Sequence, residues 1–474
     1  NQTNPLPVNS NGFGTKYRID PIKAFPPAVK YVKIINWFYL GKEHYSIMQI
    51  KIEHVKALLP AAEGFEIRET DLYLAGGRIA GVGRGPADFR AEKIISGRDR
   101  LCLPGLINGH THNYMTIFRN LADDVSFHEW LFERIEPRED RLLPEDSYWG
   151  AMLGILEMLR SGTTCFNDMQ MHIHQTTRAV QESGIRACIG RGLSGTAEDE
   201  GGARRLREAA EEIERWQGCS RLTFTIAPHA PYTCSGAYLV RAREEAQKRG
   251  LRLHIHLSES DFEVESMRKE HGMSPIAYAK SLGLFEVPVI IAHCVKVDEE
   301  DIRILADPRI SVVTNPASNM KLGNGFAPVP EMLAAGVNVC LGTDGAASNN
   351  ALNLFREMGL VTLIHKGSHQ DAESVSAVQA LKMVTENGAR ALGLEREIGS
   401  IAEGLKADLI LLDLKQPEMQ PENNLISSLA YSANGSEVTT VIIDGEVVME
   451  NREVKTIDEE RVYYECKKIR ERLS

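Results

Sequence analysis

Two histidines, His110 and His112, lie one residue apart at the end of the apolar run 103–109 and have the spacing of metal ligands. If this run is a β-strand, both imidazoles project from the same face, because strand side chains alternate with a period of two. Two neutral nitrogens on one face can bind a single divalent ion. The pair alone is weak evidence, since the chain contains 14 histidines and this spacing can arise by chance.

Four later apolar runs end in residues of the same chemical kind. They end at His229, at His256 with Glu259 three residues further on, at His293 and at Asp344. A single histidine at the end of a strand is more often a structural hydrogen-bonding residue than a metal ligand. Five such ends in succession leave chance a poor explanation. Imidazoles, a carboxylate and a water are the ligands of a catalytic zinc, so the pattern predicts a metal site.

Alternating strands and helices must position these residues. The strand candidates after the first histidine pair are 163–167, 187–191, 222–228, 251–257, 289–293, 310–315 and 337–342, with amphipathic helices such as 203–217 and 238–249 between them. Together with the strand that ends at His110 they make eight β units, which predicts a (β/α)8 TIM-like barrel. Active sites of such barrels lie where the strands end.

Short strands also occur near both ends of the chain, at 50–57, 71–75, 77–82, 407–413, 438–444 and 446–450. We therefore expect a small β-sandwich domain built from residues 48–104 and 396–474, the latter with a C-terminal helix, and a barrel over residues 105–395. The first methionine is Met48, and residues 1–47 show no clear period. We expect them to be a non-native or poorly ordered extension, and a segment that packs on the body is the alternative.

Composition narrows the class of protein. The net charge of -11 argues against a general nucleic-acid binder. The eight cysteines include no C-x-x-C pair, so neither a disulfide framework nor a cysteine-bound zinc is expected. No apolar run has the length of a membrane span, and no signal peptide is evident. These features predict a cytoplasmic protein with no membrane partner.

Several longer runs resemble the amidohydrolase superfamily and, within it, the 5′-methylthioadenosine/S-adenosylhomocysteine deaminases. These runs are SFHEWLF at 126–132, REDR at 138–141, NPASNMKLGNG at 315–325 and LGTDGAASNN at 341–350. The resemblance extends from about residue 49 to the C-terminus. It implies hydrolytic deamination of the adenine ring of 5′-methylthioadenosine, S-adenosylhomocysteine or related adenosines, which releases ammonia and the inosyl product. Homo-oligomers are common in this family.

The resemblance also implies a ligand set for one divalent metal, expected to be zinc. The ligands would be His110, His112, His256 and Asp344. Periodicity cannot choose between His254 and His256, which share a strand face. The H-x-x-E spacing to Glu259 matches the family and favours His256, which leaves His254 in a lower layer of the barrel.

A missing lysine predicts that the site holds a single metal. Dinuclear members of the superfamily bridge two metals with a carbamylated lysine on a middle strand. Between His112 and His256 the sequence has only Lys248, at the end of a helical stretch. Hydrolysis of cyclic amides by a two-metal mechanism is therefore not expected.

Three residues are expected to handle protons and the nucleophile. Asp344 would take the proton of the attacking water, Glu259 would protonate purine N1, and His293 would orient the hydroxide. The H-x-E…P-C-x-x-C signature of the zinc deaminases that edit nucleic acids is absent, which argues against a polynucleotide substrate.

The resemblance implies substrate contacts as well. Glu139 would accept hydrogen bonds from both ribose hydroxyls, because a carboxylate can take two donors. His229 would also contact the ribose, Trp130 would pack near the nucleoside, and Glu259 would contact the base.

A pair of arginines is expected to bind a homocysteine carboxylate. Arg191 would be one, and an arginine after Gly201-Gly202 the other. The chain reads Ala203-Arg204-Arg205 there and departs from the family pattern, so Arg204 is our candidate with Arg205 as the alternative. The sequence does not predict which 5′ substituent is preferred.

Two other functions compete with this interpretation. The first is a mononuclear aminohydrolase or chlorohydrolase that acts on guanine, cytosine or an s-triazine, with the same barrel chemistry and a different pocket. The second is a metal-free scaffold that acts through assembly. Such scaffolds usually lose ligands, whereas this chain keeps every expected one.

Overall fold

The structure is a computed structural model that describes residues 48–474. The expectation for residues 1–47 lies outside the described residues. The strands, in chain order, are β1 (Ile50–Ala61), β2 (Gly64–Ala75), β3 (Arg78–Val82), β4 (Lys93–Ser96), β5 (Arg100–Pro104), β6 (Leu106–Thr111), β7 (Thr163–Gln170), β8 (Arg186–Leu193), β9 (Leu222–Pro228), β10 (Arg252–Leu257), β11 (Val289–His293), β12 (Ile310–Thr314), β13 (Asn338–Leu341), β14 (Leu409–Asp413), β15 (Val438–Ile443), β16 (Glu446–Glu450) and β17 (Glu453–Val454).

Strands β6 to β13 form the predicted eight-stranded parallel barrel, in which each strand pairs with the next along the chain. The last strand returns to the first, and beyond its end the Asp344 amide donates to the His110 carbonyl at 3.0 Å. Every residue of β7 is buried. Parallel strands of a barrel are covered on both faces, so neither face needs to be polar. This explains why these runs show no regular alternation of apolar and polar residues. The predicted fold class is confirmed.

Helices cover the outside of the barrel and extend beyond it. The α-helices are Glu136–Glu139, Pro144–Arg160, Ile173–Ser183, Glu200–Arg215, Gly236–Arg249, Asp261–His271, Pro275–Ser281, Glu299–Leu305, Pro316–Lys321, Val329–Ala334, Ala346–Asn349, Leu354–His369, Ala377–Met383, Glu386–Leu392, Leu425–Tyr431 and Glu459–Leu473. The predicted helices 203–217 and 238–249 begin three and two residues earlier than expected, at Glu200 and Gly236. They begin there because the side chains of Asp199 and Ser235 accept hydrogen bonds from backbone amides of the first turn. Short 3₁₀ helices span Asn113–Phe118, Leu284–Glu286 and Pro417–Met419, and Glu129–Ile135 is a π-helix.

The remaining nine strands form one sheet from both ends of the described chain, as expected for the small β domain. Its centre is the antiparallel pair of β5 and β14, in which Leu103 lies opposite Ile410. Alternate residues of β5 face different cores. Leu101 and Leu103 pack with the residues of the barrel core, whereas Cys102 packs in a second, smaller core. The exact domain boundaries stay a prediction.

A buried ion network joins the first residue of β8 to the small β domain. The Arg186 guanidinium donates to both Asp408 oxygens at 2.7 and 3.0 Å, and to Asp444 at 2.7 Å. Breaking such a buried pair leaves an uncompensated charge, which costs about 3–5 kcal/mol. The network therefore attaches the nine-stranded sheet to the barrel at the amino end of β8. The predicted catalytic residues lie at the other end of the barrel, where the strands finish.

Among residues 48–474, none of the helices combines the length and the hydrophobicity that a transmembrane helix needs.

Candidate active site

The strand ends bring together the four predicted metal ligands. The Nε2 atoms of His110 and His112 lie 3.4 and 3.6 Å from Asp344 Oδ1. His112 Nε2 also lies 3.2 Å from His256 Nε2. Barrel closure is what makes this possible, because His112 and Asp344 follow the first and last strands, which are neighbours only in the closed barrel.

The arrangement fits a divalent ion. His110 Nε2 is buried and, among the described residues, has no hydrogen-bond partner. Burial lowers the pKa of His110 to about 4, so its imidazole is neutral near pH 7 and offers a lone pair. Candidate ligand atoms of His110, His112 and Asp344 all lie within 4.8 Å of one another, as do those of His110, His256 and His293. Buried nitrogens normally have a hydrogen-bond partner, so a buried imidazole nitrogen that has none and faces a carboxylate fits a metal ligand.

Backbone carbonyls set the orientation of two imidazoles. His112 Nδ1 lies 2.9 Å from the Met169 carbonyl oxygen, and His256 Nδ1 lies 2.8 Å from that of His229. Because a carbonyl only accepts, each Nδ1 must carry the proton, which leaves the Nε2 lone pair for the metal.

His254 lies beneath the site and supports it. Its Nε2 is 2.9 Å from His110 Nδ1, and its Nδ1 is 3.3 Å from Asn167 Nδ2. It is fully buried and does not line the cleft, whereas His256 does. The structure therefore separates the two histidines that periodicity alone could not distinguish.

Two serines that the sequence analysis missed orient the Asp344 carboxylate. Ser318 and Ser348 donate to Oδ2 at 2.7 and 2.8 Å, and the Gly345 amide donates to Oδ1 at 2.8 Å. Burial raises the pKa of Asp344, but the surrounding histidines His110, His293 and His112 outweigh burial and hold this pKa well below its usual value. Oδ1 therefore faces the histidines as an ionised oxygen. Both serines lie in family-like runs, and nothing in their spacing shows that they converge.

Glu259 and His293 form a second pair beside the ligands. His293 Nε2 lies 3.8 Å from Glu259 Oε2, Asn324 donates to Glu259 Oε1 at 3.1 Å, and His293 Nδ1 lies 2.9 Å from Asn319 Oδ1. Burial raises the pKa of Glu259. A raised pKa makes a buried carboxyl group easier to protonate, which suits it to donate a proton to a substrate. The sequence analysis did not identify either of these two asparagines.

One cleft of about 930 Å³ is lined by three of the four predicted metal ligands and by all the predicted substrate contacts. The residues that line it include His112, His256, Glu259, His293, Asp344, Trp130, Glu139, His229, Arg191, Arg204 and Arg205. This volume is in the range of small-molecule sites. The tertiary structure thus joins the predicted chemistry to the predicted substrate contacts.

Tyr114 holds the Glu139 carboxylate in this cleft. Its hydroxyl donates to Glu139 Oε1. Burial raises the pKa of Glu139 to about 7, and the hydrogen bond from Tyr114 opposes this shift. Tyr114 lies only two residues after His112, and this proximity was the one sequence signal that could have identified it.

Trp130 and His229 line the cleft as well. Trp130 lies in the π-helix and donates from Nε1 to the Ala347 carbonyl at 3.2 Å. Burial lowers the pKa of His229 to about 3, so this imidazole is neutral near pH 7. Its Nδ1 lies 2.8 Å from Thr233 Oγ1. Both side chains are therefore fixed before a ligand binds.

The predicted arginine pair has an internal carboxylate between its members. Arg191 Nε lies 3.1 Å from Glu208 Oε2, and Arg204 Nε lies 3.5 Å from Glu208 Oε1. Arg205 is half-buried and donates to the Ser194 carbonyl at 3.0 Å. Arg204 and Arg205 both line the cleft, so both alternatives remain open.

Lys248 lies on the helix Gly236–Arg249, away from the barrel strands. Its side chain is 71% exposed and its Nζ lies 3.8 Å from Glu245. It therefore cannot bridge metals inside the barrel.

Comparisons with known proteins agree with this geometry. The model of the amidohydrolase family matches residues 101–448. A 5-methylthioadenosine/S-adenosylhomocysteine deaminase of Caldanaerobacter subterraneus subsp. tengcongensis is 45% identical over 428 residues, which cover 90% of this chain and 99% of that protein. The deaminase of the same name from Moorella thermoacetica is 47% identical over 385 residues, 81% of this chain and 90% of that protein.

A solved structure shows the same architecture. The adenosine deaminase from Xanthomonas campestris, crystallised with bound zinc, superposes with a TM-score of 0.85 at 33% identity. The match covers 90% of this chain and 98% of that one. Since both the family model and these relatives match most of the sequence, the chain belongs to the amidohydrolase family.

Proposed function

We propose that the protein is a metal-dependent aminohydrolase. It deaminates the adenine ring of 5′-methylthioadenosine, S-adenosylhomocysteine or related adenosines, and it releases ammonia and the inosyl product. The observation that carries this proposal is the single cleft in which a metal-ligand cluster lies together with Glu139, Trp130 and Arg191. The relatives named as deaminases of these two nucleosides support the same substrate class.

His110, His112, His256 and Asp344 would hold one divalent ion, which we propose to be zinc. Such an ion supplies Lewis acidity that makes a hydroxide nucleophile available near neutral pH. The donor set of three imidazoles and one carboxylate suits zinc. The zinc in the related adenosine deaminase structure supports this choice.

The acidic residues and His293 divide the proton transfers. Asp344, held by two serine hydroxyls, accepts the proton that the attacking water gives up and passes it to the C6 amino group, which leaves as ammonia. Glu259, whose pKa is raised by burial, donates a proton to purine N1 as C6 is attacked, so the ring builds up no anionic charge. His293 hydrogen-bonds the nucleophile and orients it.

The rest of the cleft binds the nucleoside. Glu139 accepts hydrogen bonds from the ribose hydroxyls, His229 contacts the ribose, and Trp130 packs near the nucleoside. Arg191, with Arg204 or Arg205, binds a carboxylate on the 5′ substituent.

A substrate panel tests the proposal directly. Ammonia release is measured with adenosine, 5′-methylthioadenosine and S-adenosylhomocysteine, and with guanine, cytosine and an amino-s-triazine for the related aminohydrolase activities. Zinc per chain is measured on the same preparation. We expect turnover of at least one adenine nucleoside and about one metal ion per chain. Activity on the other heterocycles alone, or on no compound, would overturn the proposed substrate class.

The Glu139→Gln variant should lose activity on nucleosides and not on free bases. A carboxylate has two oxygens that accept hydrogen bonds, whereas a glutamine amide has one accepting oxygen and an NH2 group that only donates. A hydrogen bond to a charged group contributes about 1.5–3 kcal/mol, so we expect kcat/KM for adenosines to fall by about 10- to 100-fold. The kcat/KM for deamination of adenine, which lacks the ribose, should change little. Equal losses on adenine and adenosine would contradict the assigned role.

The same residue predicts a pH dependence. Burial raises the pKa of Glu139 to about 7, so the carboxylate that binds ribose is lost as the pH falls through that value. KM for nucleosides should therefore rise below pH 7 in the native protein and stay flat in Glu139→Gln. Glu133→Gln, an exposed residue of the same segment, is the control and should keep the native profile.

A further inference from the structure

The wall of the cleft presents a cation and an anion side by side. The side chain of Arg191, from β8, is 11% exposed, and that of its partner Glu208 is 40% exposed. Glu208 and Arg204 lie one turn apart on the helix Glu200–Arg215, whose first turn is capped by Asp199. The Glu208 carboxylate is therefore held between two guanidinium groups while part of it stays open to the cleft.

This arrangement is unfavourable for a ligand that carries only a negative charge. An incoming carboxylate would have to compete with Glu208 for Arg191, and the like charges would repel each other. An α-amino acid group carries both charges. If its carboxylate lies against Arg191 and its ammonium against Glu208, the four charges alternate in sign and each charge has opposite neighbours.

We propose that Glu208 is a specificity-determining residue that binds the α-ammonium of a homocysteine-type 5′ substituent, while Arg191 binds its α-carboxylate. The inference rests on the proposed function and deepens it. It explains how the cleft can favour a zwitterionic substituent over a purely anionic one. An uncharged methylthio group leaves the Arg191–Glu208 pair as it is.

Three nucleosides separate the two charges of the substituent. S-adenosylhomocysteine carries the ammonium and the carboxylate, its des-amino analogue carries the carboxylate alone, and 5′-methylthioadenosine carries neither. We expect Glu208→Gln to lower kcat/KM for S-adenosylhomocysteine by roughly 5- to 30-fold, because a half-exposed charged hydrogen bond is lost. The des-amino analogue should react as fast or faster, and 5′-methylthioadenosine should change by less than about 2-fold.

Glu214→Gln is the matched control. Glu214 lies on the same helix, is 67% exposed and pairs with Arg249 at 3.1 Å. This variant removes the same formal charge and should leave all three rates unchanged. Equal losses of S-adenosylhomocysteine and des-amino activity in Glu208→Gln would show that Glu208 only orients Arg191 and would overturn the proposal. A gain with S-adenosylhomocysteine would show simple competition and would also overturn it.

Binding measurements keep this test separate from the proposed reaction. Dissociation constants of the three inosyl products, measured by calorimetry on native and variant proteins, should show the same selective loss for the product with an ammonium group. If the native protein turns over no adenine nucleoside, the proposed function fails, and these constants still decide the role of Glu208.

Discussion

The Asp344→Asn variant should lose its bound metal and deaminase activity together, with kcat/KM reduced by about 10⁴-fold, the upper end of what a positioned proton acceptor contributes. Asp344 Oδ1 faces His110 and His112 at 3.4 and 3.6 Å. An asparagine presents either a neutral oxygen or an NH2 group there, and it can neither neutralise a divalent ion nor accept a proton from water. The measurements are metal per chain and ammonia release from adenosine-type substrates.

A second variant, at a residue that hydrogen-bonds Asp344, complements this test. Ser348→Ala removes one donor to Asp344 Oδ2 and leaves the carboxylate in place. Removing such a supporting hydrogen bond typically costs 10- to 100-fold in metal affinity or activity, so an intermediate loss of about that size is expected. Native metal content and native activity in Asp344→Asn would contradict both roles assigned to this residue.

The Glu259→Gln variant should separate metal binding from catalysis. We expect kcat to fall by about 10²- to 10⁴-fold, the range of general acid catalysis, while the metal content stays native. Glutamine has nearly the same shape, and its oxygen can still accept the hydrogen bond that Asn324 donates. What it lacks is the carboxyl proton that, in the proposed mechanism, is transferred to purine N1.

The KM values and a second variant test this interpretation. Since Glu259 is assigned to proton transfer, KM for nucleosides should change far less than kcat in Glu259→Gln. Asn324→Ala keeps the carboxyl group and removes one of its hydrogen bonds, so its loss should be smaller. Loss of the metal in Glu259→Gln would place this residue among the ligands and would contradict its role as proton donor.

One buried carboxylate shows how the tertiary structure braces the site. Glu357 accepts hydrogen bonds from the Ala317 amide at 3.0 Å and from Asn349 Nδ2 at 2.9 Å. The first contact fixes the segment that carries Ser318, and the second fixes the segment that follows Asp344. Nothing local in the sequence marks Glu357, because its two partners lie 40 and 8 residues away in the chain.

The periodic elements were largely predictable. The strands β9, β11 and β16 have the predicted bounds, and all eight barrel strands were identified. Strand composition and the period of helical stretches are local properties, so the sequence contains them. Helix starts were less accurate, since they depend on single capping residues such as Asp199.

The sequence by itself determined the fold class, the family and the order in which the acidic and histidine residues follow successive strands. The family resemblance already favoured His256 over His254 as a ligand, and the tertiary structure places His256 in the lining of the cleft. Only the tertiary structure decided that serines and asparagines orient Asp344, Glu259 and His293, and that Glu208 stands between two arginines. The reason is physical. Spacing within one strand or helix defines a face, whereas hydrogen bonds between segments up to about 235 residues apart form only when the barrel closes and its loops pack.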